Sequence, residues 1–260
     1  MIRIAIIGAA GRMGMEVLRV AMEDREVEVT GLVERKDHPV CGKEARLLVG
    51  RDLPLLIEDE VSKVIERCDV LIDFSSPSST LSHFTVGRQH GKAMVIGTTG
   101  IPEDVMAQIH ASRDVRVVLS PNMSVGVNLM FELIAMAARV LSNYDVEIVE
   151  FHHRWKKDAP SGTALRLKEI VKTERGLKKE VFGRHGVTGE RTSDEIGIMS
   201  LRGGDVVGEH TVIFAKEGER LEITHRASSR ENFARGAIRA AKWVVDKPYG
   251  IYSMRDVLFS

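Results

Sequence analysis

The chain has 260 residues, 43% of them apolar and 28% charged, and its 37 basic side chains balance 37 acidic ones to a formal net charge of zero. That composition suits a soluble globular protein of one large domain or two modest ones. It excludes the basic excess on which general nucleic-acid binding depends, and no stretch reaches the ~18 uninterrupted apolar residues of a membrane span.

From the N-terminus, Arg3 interrupts the first apolar run and glycines follow at once, so no secretory signal is expected. Short Ile/Val-rich runs at 2–7, 27–33, 70–74, 93–97 and 115–119 alternate with segments of helical spacing at 11–22, 78–90 and 102–112. Strand alternating with helix predicts parallel strands joined by crossover helices, a sheet buried on both faces. Cys41 and Cys68 are too few for a disulfide framework and lack metal-site spacing, so two reduced thiols in a cytoplasmic protein, and no metal, are expected.

The second half changes pattern. An apolar helix is expected over 125–142, a strand over 146–152 and a helix from Ser161, then a polar loop over 175–195. Three strand-like runs follow at 196–201, 206–215 and 220–227, the last two joined by a hairpin turn at Lys216-Glu217-Gly218-Glu219, and a helix covers 232–245. The fold class expected is α/β: a Rossmann-type doubly wound parallel sheet, then an α+β domain with an open mixed sheet, mostly antiparallel. The boundaries fall near 123–124 and 228–230.

The first run leads straight into Gly8-Ala9-Ala10-Gly11-Arg12-Met13-Gly14 and then a helix. This GxxGxxG spacing, between strand and helix, is a variant of the dinucleotide fingerprint. Gly8 permits a tight turn, Gly11 lets a pyrophosphate approach the backbone, and Gly14 lets helix and strand pack closely. Glu34 stands 20 residues beyond Gly14, where an acid binds the adenosine ribose hydroxyls, and Arg35 and Lys36 follow it. An acid beside two bases predicts tolerance of both NADH and NADPH. Gly97-Thr98-Thr99 and Ser120-Pro121-Asn122-Met123 follow later strands, placing them to border the nicotinamide.

The densest chemistry is Glu150-Phe151-His152-His153-Arg154-Trp155-Lys156-Lys157-Asp158-Ala159-Pro160-Ser161-Gly162-Thr163. Two histidines, a guanidinium and two ammonium groups end a strand and pass into a helix N-terminus, which offers N–H groups to a carboxylate. Such a cationic pocket suits a small dianionic substrate, with histidine able to exchange protons near neutral pH. Read alone, the segment also fits a solvated basic strand end with Ser161 as a simple N-cap. Parity puts His152, Arg154 and Lys156 on one face of an extended chain.

These residues, with VIGTTG at 95–100, NMSVGVN at 122–128, GEHTVIFA at 208–215, LEITHRASSR at 221–230 and MRDVL at 254–258, closely resemble the 4-hydroxy-tetrahydrodipicolinate reductase (dihydrodipicolinate reductase) family over essentially the whole length. The resemblance implies reduction, by NADH or NADPH, of the cyclic imine (2S,4S)-4-hydroxy-2,3,4,5-tetrahydrodipicolinate with loss of water, in lysine biosynthesis through diaminopimelate. It implies His152 as proton donor/acceptor, Lys156 as proton donor, His153 as a substrate contact, and Gly162 and Thr163 as carboxylate binders. For His153 to join His152 at one substrate, the chain must leave the sheet near residue 153, with Lys156 on a loop. The cofactor site would comprise Gly8, Ala9, Ala10, Gly11, Arg12, Met13, Glu34, Arg35, Gly97, Thr98, Thr99, Ser120, Pro121, Asn122 and Met123. The family's habit implies a homotetramer, a dinucleotide-binding domain at 1–123 to which 229–260 returns, and a substrate-binding and tetramerisation domain at 124–228. Other readings are another NAD(P)-dependent reductase of a small amino-acid intermediate, or a non-catalytic dinucleotide-binding protein.

Overall fold

Strand β1 (Ile2–Ile7) lies inside a sheet of seven parallel strands. With β2 (Val27–Val33), β3 (Ile57–Glu58), β4 (Val70–Asp73), β5 (Ala93–Ile96), β6 (Arg116–Leu119) and β12 (Gly250–Tyr252), the order is β12-β6-β5-β4-β1-β2-β3. The computed structural model describes residues 1–260 and divides them into two units, 1–125 with 230–260, and 126–229.

The apolar runs are continuous because both faces of this sheet are covered. Ile4, Ile6, Ile72 and Val95 face a core completed by Val17 and Leu18 of α1 (Arg12–Glu23) and Ala237 and Ile238 of α7 (Glu231–Val244). Ala5, Ile7, Leu71 and Met94 face the opposite core, with Phe84 of α3 (Thr80–Gln89) and Val105 and Ile109 of α4 (Glu103–Ala111). Each large aliphatic side chain so buried contributes about 1.5–3 kcal/mol relative to exposure. Helix α7 packs with no room for a side chain at Gly236, whose Cβ would stand 1.8 Å from the Met123 carbonyl oxygen.

Residues 34–69, where no element was expected, carry the short α2 (Arg46–Val49), β3 and two 3-10 turns, Val61–Lys63 and Ile65–Arg67. Buried Val61, Val64 and Ile65 hold these turns against the sheet. The C-terminal β12 and α8 (Met254–Phe259) were likewise not anticipated. Three residues are too few to show a strand period, and β12 exists by pairing with β6.

The second unit holds α5 (Val125–Val140), β7 (Asp145–His152), α6 (Gly162–Arg175), β8 (Lys179–Val181), β9 (Glu195–Arg202), β10 (Gly208–Lys216) and β11 (Glu219–Ala227). Its sheet runs β11-β10-β7-β9-β8. β10 is antiparallel to β7 and β11, but β9 is parallel to β7 and β8. The sheet is therefore mixed in equal parts, which corrects the expected antiparallel majority. After β7 the chain passes through α6 before β9 forms, and a crossover of this kind returns the next strand in the same direction. β8 lies inside the expected polar loop. The hairpin is as expected: Lys216 pairs with Glu219, and Gly218 takes a left-handed φ of +86°.

Helices α5 and α6 cover one face of this sheet, packing Met130, Ile134, Leu167 and Val171 on Val146, Ile148, Val212 and Phe214. Neighbouring side chains on β7 alternate, so Val149 and Phe151 point to the other face, where they pair in register with Met199 and Leu201 and are only partly buried. No helix of the structure is long and apolar enough to cross a membrane.

Candidate cofactor and substrate sites

In the first unit the ends of β1, β4, β5 and β6 lie at one edge, because all four strands run the same way. Gly8 adopts φ +77°, and a Cβ there would stand 2.7 Å from the Phe74 carbonyl oxygen. A Cβ on Gly14 would stand 2.1 Å from the Gly8 carbonyl oxygen. Helix α1 starts at this turn with Gly11 as N-cap, no side-chain cap and no acidic residue in its first turn. Its opening N–H groups and the positive end of the helix dipole suit a phosphate. The turn borders a cavity of about 390 Å³ lined also by Glu34, Arg35, Phe74 and His83. These residues fit a dinucleotide: a glycine cradle that side chains would fill, a bare helix start, and an acid beside a base.

Glu34 is partly buried, and its Oε2 accepts the Ala10 N–H at 3.0 Å. Arg35 and Lys36 are exposed, Arg35 lying 3.6 Å from Asp37. Gly97 follows β5, and its N–H donates to the Asp73 carbonyl at 2.9 Å. The Thr98 hydroxyl donates to the Asp73 carboxylate at 3.3 Å, while Thr99 is exposed. In the loop after β6, the Ser120 hydroxyl donates to the Asn122 carbonyl at 2.9 Å, and Pro121 is exposed. Ala9 and Met123 are buried, and the Met123 side chain belongs to the core shared by α1 and α7 rather than to the loop surface. The sequence reading missed Asp73, which is fully buried. It accepts from the Ser75 N–H at 2.8 Å and lies 2.9 Å from His83 Nδ1. A carboxylate ending the buried Val-Leu-Ile run was the available signal.

In the second unit, β7 ends at His152, and Lys156 sits on the turn that follows, its N–H donating to the His153 carbonyl at 3.1 Å. The chain thus leaves the sheet at residue 153, as expected from parity together with the His153 contact that the resemblance implies. The Lys156 ammonium donates to both Asp158 carboxylate oxygens, at 2.9 and 2.8 Å. Hydrogen bonding from Lys156 holds the Asp158 carboxyl below its ordinary value. The His153 and Trp155 rings lie 5.8 Å apart, and Lys157 is exposed. Ser161 caps α6, its hydroxyl accepting the Ala164 N–H at 3.2 Å. Gly162 opens the helix with free space where a Cβ would project, and Thr163 follows, partly exposed.

Behind His152 lies a buried group that the sequence names in the same segment but gives no role. Glu150 is fully buried, with its carboxylate 2.5 Å from His152 Nδ1. Arg202 donates to both its oxygens, at 2.9 and 2.8 Å. Burial alone would raise the Glu150 carboxyl, but hydrogen bonds from His152, Arg202 and Ser200 outweigh it and hold the group at about 2. His210, buried on β10, has its ring centroid 5.2 Å from that of His152 and its Nε2 3.0 Å from the Ser161 hydroxyl. Burial first, then the neighbouring His152, pushes His210 down to about 3, so this ring is neutral.

Comparison with known proteins accounts for the whole chain. Residues 2–123 match the family model described as "Dihydrodipicolinate reductase, N-terminus", and residues 126–258 the model described as "Dihydrodipicolinate reductase, C-terminus". The chain is 51% identical over 264 residues to the 4-hydroxy-tetrahydrodipicolinate reductase of Anaeromyxobacter dehalogenans, covering 99% of this chain and 98% of that protein. It is 48% identical to the enzyme of the same name from Citrifermentans bemidjiense, covering 99% of each. Among solved structures, a dipicolinate-bound dihydrodipicolinate reductase from Paenisporosarcina sp. TG-14 superposes with a TM-score of 0.81 at 26% identity, covering 99% of this chain and 100% of that one.

Proposed function

The chain belongs to the dihydrodipicolinate reductase family, and from that premise we infer that it reduces (2S,4S)-4-hydroxy-2,3,4,5-tetrahydrodipicolinate to (S)-2,3,4,5-tetrahydrodipicolinate with loss of water, using NADH or NADPH, in lysine biosynthesis through diaminopimelate. The observation that carries this reading is the agreement in name of relatives matched over 99% of the chain. Supplying fresh substrate with either cofactor, and following the loss of reduced nicotinamide, tests it. An inert mixture overturns it.

The reduced nicotinamide, when bound, supplies the hydride. The turn Gly8–Met13 and the start of α1 hold the pyrophosphate, Glu34 and Arg35 the adenosine ribose, and the loops 97–99 and 120–123 border the ring. In the other unit, His153 and the helix start at Gly162 and Thr163 hold the substrate carboxylates. Lys156 and His152 hold and move protons at Nζ and Nε2. Support for those two roles comes from the Lys156 amine standing on a turn, and from His152 having its other nitrogen engaged by Glu150. A cationic pocket stabilises charge that develops on a ring already bearing two carboxylates. The domain division follows the same lines: 1–123 with 229–260 binds the dinucleotide, and 124–228 binds the substrate and assembles.

Both cofactors are expected to serve. Glu34→Ala weakens NADH more than NADPH, and Arg35→Ala does the reverse, each by about 1 kcal/mol or more where a charge-assisted bond is lost. Isothermal titration of both cofactors reads the two losses. Equal losses for both cofactors in both variants would remove Glu34 and Arg35 from the ribose site.

The enzyme assembles as a homotetramer through the second sheet and works in the cytoplasm. The partly uncovered face carrying Val149, Phe151, Met199 and Leu201 supports the assembly, since an apolar sheet face of this kind marks an interaction surface. Sedimentation at micromolar concentration is expected to give the mass of four chains; the mass of one chain contradicts the assembly.

A further inference from the structure

Glu150 has no part in the reaction as described, yet groups from three segments of the second unit meet at its carboxylate. On β7 it precedes His152 by two residues, so both side chains share a face. Its Oε2 lies 2.5 Å from His152 Nδ1 and accepts Arg202 Nη1 at 2.9 Å. Its Oε1 accepts Arg202 Nη2 at 2.8 Å and the Ser161 N–H at 3.2 Å. Arg202 stands directly opposite His152 in the β7–β9 register. Its Nη2 also donates to the Asp158 carbonyl at 2.6 Å, in the segment between Lys156 and α6.

We propose that Glu150 is the positioning residue of His152, fixing its ring proton on Nδ1 and leaving Nε2 for the substrate, with Arg202 as the clamp that holds Glu150 ionised and in place. The proposal rests on the reading of His152 as the proton-transfer group. An ionised carboxylate can only accept hydrogen bonds, so it claims the Nδ1 proton. The charged or titratable groups around His152 are Glu150 on its own strand, Arg202 on β9, His210 on β10 and Lys156 on the turn. Of these, Glu150 is the carboxylate that touches the ring, at Nδ1. The same carboxylate receives the Ser161 N–H, so the helix start assigned to the substrate carboxylates is set from the atom group that orients the acid.

The test uses the full chain with 15N-labelled histidine, the His152 resonance being assigned by its loss in His152→Ala. In the parent protein at neutral pH, the uncharged His152 ring is expected to carry its proton on Nδ1. In Glu150→Gln the amide oxygen stays at the Oε1 position, where both the Ser161 N–H and Arg202 Nη2 donate, so the amide NH₂ turns toward Nδ1 and the ring proton moves to Nε2. Turnover is expected to fall roughly 10²–10⁴-fold, as when a catalytic histidine is held in the wrong tautomer, with little change in KM. A merely structural Glu150 would cost stability without changing the tautomer. The proposal is overturned if His152 in the parent carries its proton on Nε2, or if Glu150→Gln leaves the tautomer unchanged. The parent spectrum decides the matter even where Glu150→Gln does not fold. Unchanged turnover in His152→Ala would instead refute the role of His152 while leaving the tautomer result standing.

Discussion

Lys156→Ala is expected to lower kcat roughly 10²–10⁴-fold, the span of a lost general acid, with the affinity for reduced cofactor little changed. His152→Ala falls in the same range. Lys157→Ala costs little, although the residues are neighbours of the same type. The difference follows from local geometry. The Lys156 ammonium is bound to Asp158 at 2.8 Å and only 20% of its side chain is exposed, whereas Lys157 is exposed to solvent. Hydrogen bonding within 153–158 holds the first amine over the end of β7 and leaves the second outside. Steady-state kinetics of the three variants, with cofactor titrations alongside, checks this. A crippled Lys157→Ala beside a normal Lys156→Ala would assign the proton to the wrong lysine.

Gly14→Ala is expected to abolish useful cofactor binding through the backbone. The added methyl would stand 2.1 Å from the Gly8 carbonyl oxygen and 2.8 Å from the Ala9 Cα. Both are main-chain atoms of the turn, so no side chain can swing aside, and α1 must move away from β1. Overpacking of this kind costs about 1–3 kcal/mol. The shift also misplaces the N–H groups proposed to face the pyrophosphate, and a misplacement of about an ångström in a positioned site costs roughly 10²-fold. Thermal unfolding and titration with NADH measure the two effects. Parent-like values in both would mean that the turn is looser than its carbonyls indicate.

The parts readable in the sequence are those whose physics is local. Ile2–Ile7 and Val70–Asp73 read as strands because a sheet covered on both faces needs unbroken apolar runs, and Gly8 to Gly14 read as a strand-to-helix turn from glycine spacing in that context. The end of β7 near residue 153 followed from side-chain parity taken together with the substrate contact that the family resemblance implied for His153. Glu150 and Arg202 were not readable as a pair. They are 52 residues apart, with α6 and β8 between them in the chain, and only the β7–β9 register brings them together. β8 and β12 escaped notice for a related reason: three residues carry no period, and partner strands alone make them extended. Met123 shows the limit from the other side. It follows a strand end as a ligand-bordering loop should, yet its side chain packs under α7, an element more than 100 residues later in the chain.

That late packing has a consequence for how the protein is made. Residues 126–229 form a unit of their own, while the parallel sheet draws α7, β12 and α8 from residues after 230. On a translating ribosome the inserted unit is complete while its host is still missing α7. Until that helix arrives, Ile4, Ile6, Val95 and Val118 lack the cover of Ala237, Ile238 and Ala241. At about 5–20 residues per second the interval lasts seconds, during which the nascent N-terminal sheet is the surface most in need of a chaperone.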